Sequence, residues 1–271
     1  MNLSPRSVET PLGRLHIQVG DTDGPVMLFW PSLLMTGDMW LDQAAIHAEH
    51  YRVVLIDPPG AGRSTALTRG FSFDECAQCV VAILDHLDVS SAVFVGNSWG
   101  GMIGGTLAAR HPKRIDAAVL MNCTGSAVAL KQKLEYRLLS TVVRLAGGIP
   151  RQMEPIAIAA FTGPTSRQQR PEVIARIRDT LRKTNGRSAH WAIRSVVPNR
   201  PDQLELLSTI PIPVLVIAGA EDATFPVAET RQMAEAIPGA RFEVLNGIAH
   251  LAGLEDPTRI AALVTDFLEQ H

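Results

Sequence analysis

The stretch Gly96-Asn97-Ser98-Trp99-Gly100-Gly101 joins a short apolar run to a segment of helix-forming residues. Residues 92–95 (AVFV) are β-branched and aromatic enough for a buried strand, and residues 102–110 favour a helix. A G-x-S-x-G motif at such a turn is typical of a nucleophile elbow, in which a strained backbone raises the serine hydroxyl above the sheet edge. The flanking glycines leave room for the turn, and the first helical N–H groups face the place where an oxyanion would form. The motif predicts a nucleophile at Ser98 and an oxyanion-binding N–H at Trp99, although serine is also a common helix N-cap.

The composition limits the kinds of protein that this chain can be. The 271 residues are 46% hydrophobic, which is enough for one large core. Lys and Arg number 25 against 27 for Asp and Glu, so the net charge of −2 does not predict a nucleic-acid or anionic-membrane partner. No stretch of 18 apolar residues and no apolar leader is present. These features predict a soluble cytoplasmic protein.

Buried strands alternate with helical patterns along most of the chain. This alternation of strands and helices predicts an α/β fold built from βαβ units with a mostly parallel sheet. The alternation is interrupted between residues 126 and 209, where only helical patterns occur, and it continues with an apolar run at residues 214–218. We therefore expect a core domain of residues 1–125 and 210–271 and a helical cap of residues 126–209.

The cysteines do not predict a disulfide framework or a metal site. Cys76 and Cys79 form a C-x-x-C inside a helical pattern, and no second pair has zinc spacing. We expect buried thiols, with a redox pair as the alternative.

Three further motifs complete a pattern that resembles the α/β-hydrolase superfamily from Val8 to the C-terminus. Residues 218–222 (AGAED) resemble the turn that carries the family's acid, and residues 246–250 (NGIAH) resemble the loop that carries its histidine. Residues 57–64 (DPPGAGRS) are similar to the family's D-x-x-G-x-G-x-S loop. The order of serine, acid and histidine is the order of the family. The resemblance implies an eight-stranded, mostly parallel sheet flanked by helices, with the helical cap inserted after the sixth strand.

The resemblance also implies a role for each candidate catalytic residue. His250 would act as general base towards Ser98 and then as general acid, and Asp222 would orient its imidazole. Glu221 is the neighbouring rival for the acid. Asp57 is expected to shape its own loop by accepting backbone N–H groups.

The loop after the strand at residues 26–30 departs from the family pattern. Pro31-Ser32 stands where the usual His-Gly pair would be, and Pro31-Ser32-Leu33 resembles the Asn-Ser-Leu variant of 3-oxoadipate enol-lactonases and related small esterases. The second oxyanion N–H is therefore expected from Leu33, with Ser32 as the alternative, because proline has no N–H. Trp30, Ser32 and Trp191 are candidates for the substrate pocket.

Together these features predict a serine hydrolase that cleaves a carboxylic ester or lactone through an acyl-enzyme on Ser98. The expected partner is a small-molecule substrate, without metal, cofactor, nucleic acid or membrane, and the oligomeric state is open, a homodimer included. One alternative is a C–C bond hydrolase of vinylogous diketones with the same triad. Another, from a different class, is a ligand-binding receptor on the same fold.

Overall fold

Eight strands form one sheet in the order β1-β2-β4-β3-β5-β6-β7-β8. The structure is a computed structural model that describes residues 1–271. β1 pairs with β2 and β2 with β4 in antiparallel fashion, and all the remaining pairs are parallel. The strands are β1 (Leu3–Thr10), β2 (Gly13–Gly20), β3 (Val26–Trp30), β4 (Arg52–Ile56), β5 (Ala92–Asn97), β6 (Ile115–Met121), β7 (Val214–Gly219) and β8 (Arg241–Leu245).

Helices cover both faces of this sheet. The helices outside the insertion are α1 (Leu41–His47), α2 (Phe73–His86), α3 (Trp99–Arg110), α10 (Val227–Ala236), α11 (Ala252–Glu255) and α12 (Pro257–Leu268). Side chains of β5 alternate between two buried clusters: Phe94 belongs to the one that contains residues of α2 and α3, whereas Val93 and Val95 belong to the one that contains residues of α12. A parallel sheet buried on both faces has apolar strands of this kind, because neither face meets water.

All the regular secondary structure between β6 and β7 is helical. They are α4 (Leu130–Leu145), α5 (Glu154–Phe161), α6 (Pro164–Gln169), α7 (Pro171–Arg182), α8 (Gly186–Val196) and α9 (Leu204–Leu207). The α/β fold with a helical insertion after the sixth strand is therefore confirmed. No helix of the protein has the length and apolar character needed to cross a bilayer.

The parallel strands bring several predicted site residues to one edge of the sheet. Ser98 directly follows β5, Asp222 follows β7 and His250 follows β8. The carboxyl ends of parallel strands lie at the same edge, where open α/β sheets bind their ligands.

Candidate active site

Ser98 occupies the strained turn that the G-x-S-x-G motif predicts. Its backbone angles are φ 56° and ψ −110°, and its N–H donates to the carbonyl oxygen of Met121 at 2.8 Å. A positive φ is uncommon for a residue with a side chain, so the surrounding structure must hold it. Ser98 stands at the N-cap of α3, but its hydroxyl makes no capping hydrogen bond. The hydroxyl is therefore not committed to helix capping.

The two flanking glycines are required by close backbone contacts. A Cβ atom on Gly96 would lie 2.3 Å from the carbonyl oxygen of Gly100, and a Cβ on Gly100 would lie 2.2 Å from the carbonyl oxygen of Trp30. Both distances are far below van der Waals contact. Because Trp30 ends β3, the second contact also fixes the position of the following loop relative to the start of α3.

His250 and Asp222 form a buried hydrogen-bonded pair. The Nδ1 atom of His250 lies 2.8 Å from Oδ2 of Asp222, and the side chains are 2% and 0% exposed. A carboxylate can only accept, so Nδ1 carries the proton and Nε2 of a neutral imidazole is left with its lone pair. The other carboxylate oxygen, Oδ1, accepts the N–H groups of Thr224 at 2.8 Å and Phe225 at 3.1 Å. These bonds fix the carboxylate, which in turn fixes the imidazole ring.

Glu221, the rival for the acid, is directed elsewhere. Its Oε1 accepts the hydroxyl of Thr165 at 2.6 Å, and its Oε2 accepts the N–H of Thr165 at 2.9 Å. Thr165 belongs to α6, so this carboxylate joins the insertion to the loop after β7. Phe161, the last residue of α5, stacks on His250 with ring centroids 5.9 Å apart.

Glu255, a buried glutamate that follows the histidine loop, holds the backbone on both sides of His250. Glu255 accepts the N–H groups of Ala249 at 3.1 Å and Leu251 at 3.0 Å, the two neighbours of His250, and also the hydroxyl of Ser166 in α6. Burial raises the pKa of the Glu255 carboxyl, and its hydrogen bonds only partly oppose that rise. The signal available in the sequence was the acidic run Glu255-Asp256 directly after a predicted histidine loop.

The loop after β3 makes a turn next to Ser98. The N–H of Met35 donates to the carbonyl oxygen of Ser32 at 3.1 Å, and Leu34 has a φ of 66°. The backbone N–H of Leu33 donates no hydrogen bond within the protein. Trp99 is the first residue of α3, so no helical carbonyl lies one turn before its N–H. Both N–H groups are thus free to bind an anion.

Asp57 shapes its loop as the sequence analysis predicted. Its carboxylate accepts the N–H groups of Gly37 and Arg63, each at 2.9 Å, and the Nε–H of Arg63 at 3.3 Å. A Cβ on Gly62, whose φ is 54°, would lie 2.3 Å from Oδ2 of Asp57. The carboxylate therefore packs against bare backbone and ties the loop after β4 to the one after β3.

The predicted pocket residues Trp30, Ser32 and Trp191 do not line the cavity that the structure contains between the insertion and the loops at the sheet edge. This cavity, of about 440 Å³, lies between α7, α8 and the loops after β3 and β4, and Trp99 forms part of its wall. Trp30 and Ser32 are completely buried, and their part in a substrate pocket stays a prediction. Trp30 packs edge-on against Trp99 with ring centroids 5.5 Å apart. Trp191 is half-buried against the core, and its role stays a prediction.

The cysteines are buried and free, as expected. Burial raises the pKa of the Cys76 and Cys79 thiols, so neither is an activated thiolate. No group of three or more His, Cys, Asp or Glu side chains is placed to hold a metal ion.

Comparisons with known proteins place this geometry in a family. The family model for the alpha/beta hydrolase fold matches residues 25–257. The chain is 30% identical over 241 residues to 3-oxoadipate enol-lactonase 2 of Acinetobacter baylyi, an alignment covering 88% of this chain and 86% of that protein.

Solved structures agree with this assignment. The enol-lactonase of Burkholderia xenovorans LB400 superimposes with a TM-score of 0.89 and 25% identity, covering 97% of this chain and all (100%) of that one. A thermophilic esterase of Thermogutta terrifontis shares the fold with a TM-score of 0.90, 24% identity and 98% coverage of both chains. The chain belongs to the α/β-hydrolase fold family and is a hydrolase of that fold.

Proposed function

We propose that the protein hydrolyses a carboxylic ester or lactone through an acyl-enzyme formed on Ser98. The observation that carries this proposal is the buried 2.8 Å hydrogen bond between His250 Nδ1 and Asp222 Oδ2, which leaves Nε2 of His250 as a base. The relatives named as enol-lactonases support a lactone or an ester as the bond that is cleaved.

The proposed mechanism assigns a role to each of these groups. His250 takes the proton of the Ser98 hydroxyl as the oxygen attacks the carbonyl carbon, and Asp222 stabilises the imidazolium that results. The negative charge moves to the carbonyl oxygen, where the N–H groups of Trp99 and Leu33 receive it, with Ser32 as the alternative donor to Leu33. His250 then returns the proton to the leaving alcohol, and a water molecule activated by the same imidazole releases the acid.

We propose in addition that residues 126–209 act as a cap on a core of residues 1–125 and 210–271. The supporting contacts come from α5 and α6: Phe161 stacks on His250, Thr165 binds Glu221, and Ser166 binds Glu255. The proposed cap therefore touches both loops of the acid–base pair and forms part of the site that the substrate enters.

Steady-state kinetics with p-nitrophenyl acetate and a series of lactones tests this function. Asp222→Asn is expected to lower kcat by about 10,000-fold, because the imidazole loses its tautomer and its counter-charge. Glu221→Gln is the matched control, since this neighbouring side chain bonds only to Thr165. Equal activity of Asp222→Asn and the wild type, or an equally large loss in Glu221→Gln, would contradict the assignment.

A further inference from the structure

Two asparagine side chains lie completely buried beneath His250. Asn97, the residue before Ser98, donates from Nδ2 to the carbonyl oxygen of His250 at 2.7 Å and to Oγ of Ser32 at 2.8 Å. Asn122, which follows β6, donates from Nδ2 to the same His250 carbonyl at 2.9 Å and accepts the N–H of Gly219 at 2.7 Å. Both side chains are 0% exposed.

The chemistry of these positions requires amides. Both N–H bonds of the Asn97 amide are used, and Asn122 must donate on one side and accept on the other. A carboxylate at either position would place a lone pair opposite the His250 carbonyl, and an apolar side chain would remove one of its two donors. At position 122 an apolar side chain would also leave the N–H of Gly219 without its acceptor. A buried polar atom without a partner costs about 1–3 kcal/mol.

The network joins the carboxyl ends of five strands. Ser32 follows β3, Asn97 ends β5, Asn122 follows β6, Gly219 ends β7 and His250 follows β8. Asp222 holds the ring of His250, and the two amides hold its main chain from the opposite end of the residue. The backbone of His250 is thus tied to Asn97, the residue before Ser98, and to Asn122 by buried side chains.

We propose that Asn97 and Asn122 are positioning residues that fix the His250 main chain relative to Ser98 and, through Ser32, align the oxyanion loop. This inference rests on the proposed function of the same site. The two amides place the base for proton transfer and leave substrate binding to other residues. Their loss therefore affects the chemical step more than the KM.

Asparagine-to-aspartate variants test this role with almost no change in shape. Each of the two variants, Asn97→Asp and Asn122→Asp, removes one of the two donors to the His250 carbonyl and turns an oxygen lone pair towards it, whereas the acceptor for the N–H of Gly219 remains. We expect kcat for p-nitrophenyl acetate to fall about 10- to 100-fold in each, because displacements below 1 Å in a catalytic group already have effects of that order. KM is expected to stay within about threefold, a split that a general loss of folded protein would not produce.

Asn246→Asp is the matched control, because Asn246 lies exposed in the histidine loop and its side chain makes no hydrogen bond. Circular dichroism and urea unfolding establish that each variant is folded during the assay. Folded Asn97→Asp and Asn122→Asp proteins with the kcat of Asn246→Asp would overturn the proposal. So would the failure of both to fold, which would make the amides purely structural. A folded wild-type protein that does not turn over p-nitrophenyl acetate would instead contradict the proposed function itself.

Discussion

Replacing Gly100 with alanine tests whether the close approach of α3 to the end of β3 sets the geometry of the site. The new Cβ would lie 2.2 Å from the carbonyl oxygen of Trp30 and 2.9 Å from its carbonyl carbon. Ordinary contact needs about 1 Å more, and both partners are backbone, so the start of α3 and the loop after β3 must separate by roughly that distance. A 1 Å misplacement of catalytic groups costs about 100-fold in rate, or about 2.7 kcal/mol of barrier. We therefore expect kcat of Gly100→Ala to fall about 100-fold.

The assay is hydrolysis of p-nitrophenyl acetate, with thermal unfolding measured on the same samples. Gly105→Ala is the control in the same helix, because its Cβ would meet the flexible end of the Leu207 side chain, at 2.6 Å, and no backbone atom. We expect this control to keep its activity within about threefold. Folded Gly100→Ala that matches Gly105→Ala in kcat would refute the steric argument.

Further predictions concern three buried ionisable side chains. Burial, with the charge of His50 as the smaller cause, lowers the pKa of His47 from 6.5 to about 4. As the pH drops, the unfolded chain binds a proton on His47 before the folded protein does, so the free energy of unfolding falls by about 2 kcal/mol between about pH 7 and about pH 5. Urea unfolding at both pH values should show that His47→Gln does not have this loss, whereas the control His86→Gln, at an exposed histidine, keeps it. Burial raises the pKa of Glu255 above 4.5, so the free energy of unfolding falls as the pH rises from 4.5 through the pKa of this carboxyl in the folded protein. The free energy of unfolding of Glu255→Gln, relative to that of the wild type, should therefore increase with pH over this range. A difference that does not change with pH would contradict the prediction. Asp57→Ala should lower the free energy of unfolding by about 3 kcal/mol in urea titrations, because two N–H groups lose their acceptor; a change below about 1 kcal/mol would argue against this role.

The fold was largely predictable from local patterns. The apolar runs of β3 to β7 lie on strands buried on both faces, and such strands have a simple sequence signature. The insertion could be predicted only as helical as a whole, because a six-residue helix such as α6, which begins at Pro164, does not complete an amphipathic pattern.

The position of the three candidate catalytic residues at one edge of the sheet could be predicted from their order along the chain. Ser98, Asp222 and His250 each follow a strand of the parallel sheet, and the pattern of strands brings them to one edge. The contacts of Trp30 were not predictable, because a tryptophan beside a site packs inward or outward according to its tertiary neighbours, here Trp99. The buried amides of Asn97 and Asn122 were also missed, since a polar residue at the end of a strand has the same sequence signature as a loop residue.

Labelling with a fluorophosphonate tests the central claim most directly, because the reagent reacts with an activated serine and mimics the tetrahedral intermediate. Intact-mass and peptide mass spectrometry of the treated protein should show one adduct per chain, on Ser98, with loss of p-nitrophenyl acetate turnover in parallel. Ser98→Ala should take up no label and have no turnover. Folded wild-type protein that remains unlabelled, or that carries the adduct on another residue while Ser98→Ala stays active, would contradict the account.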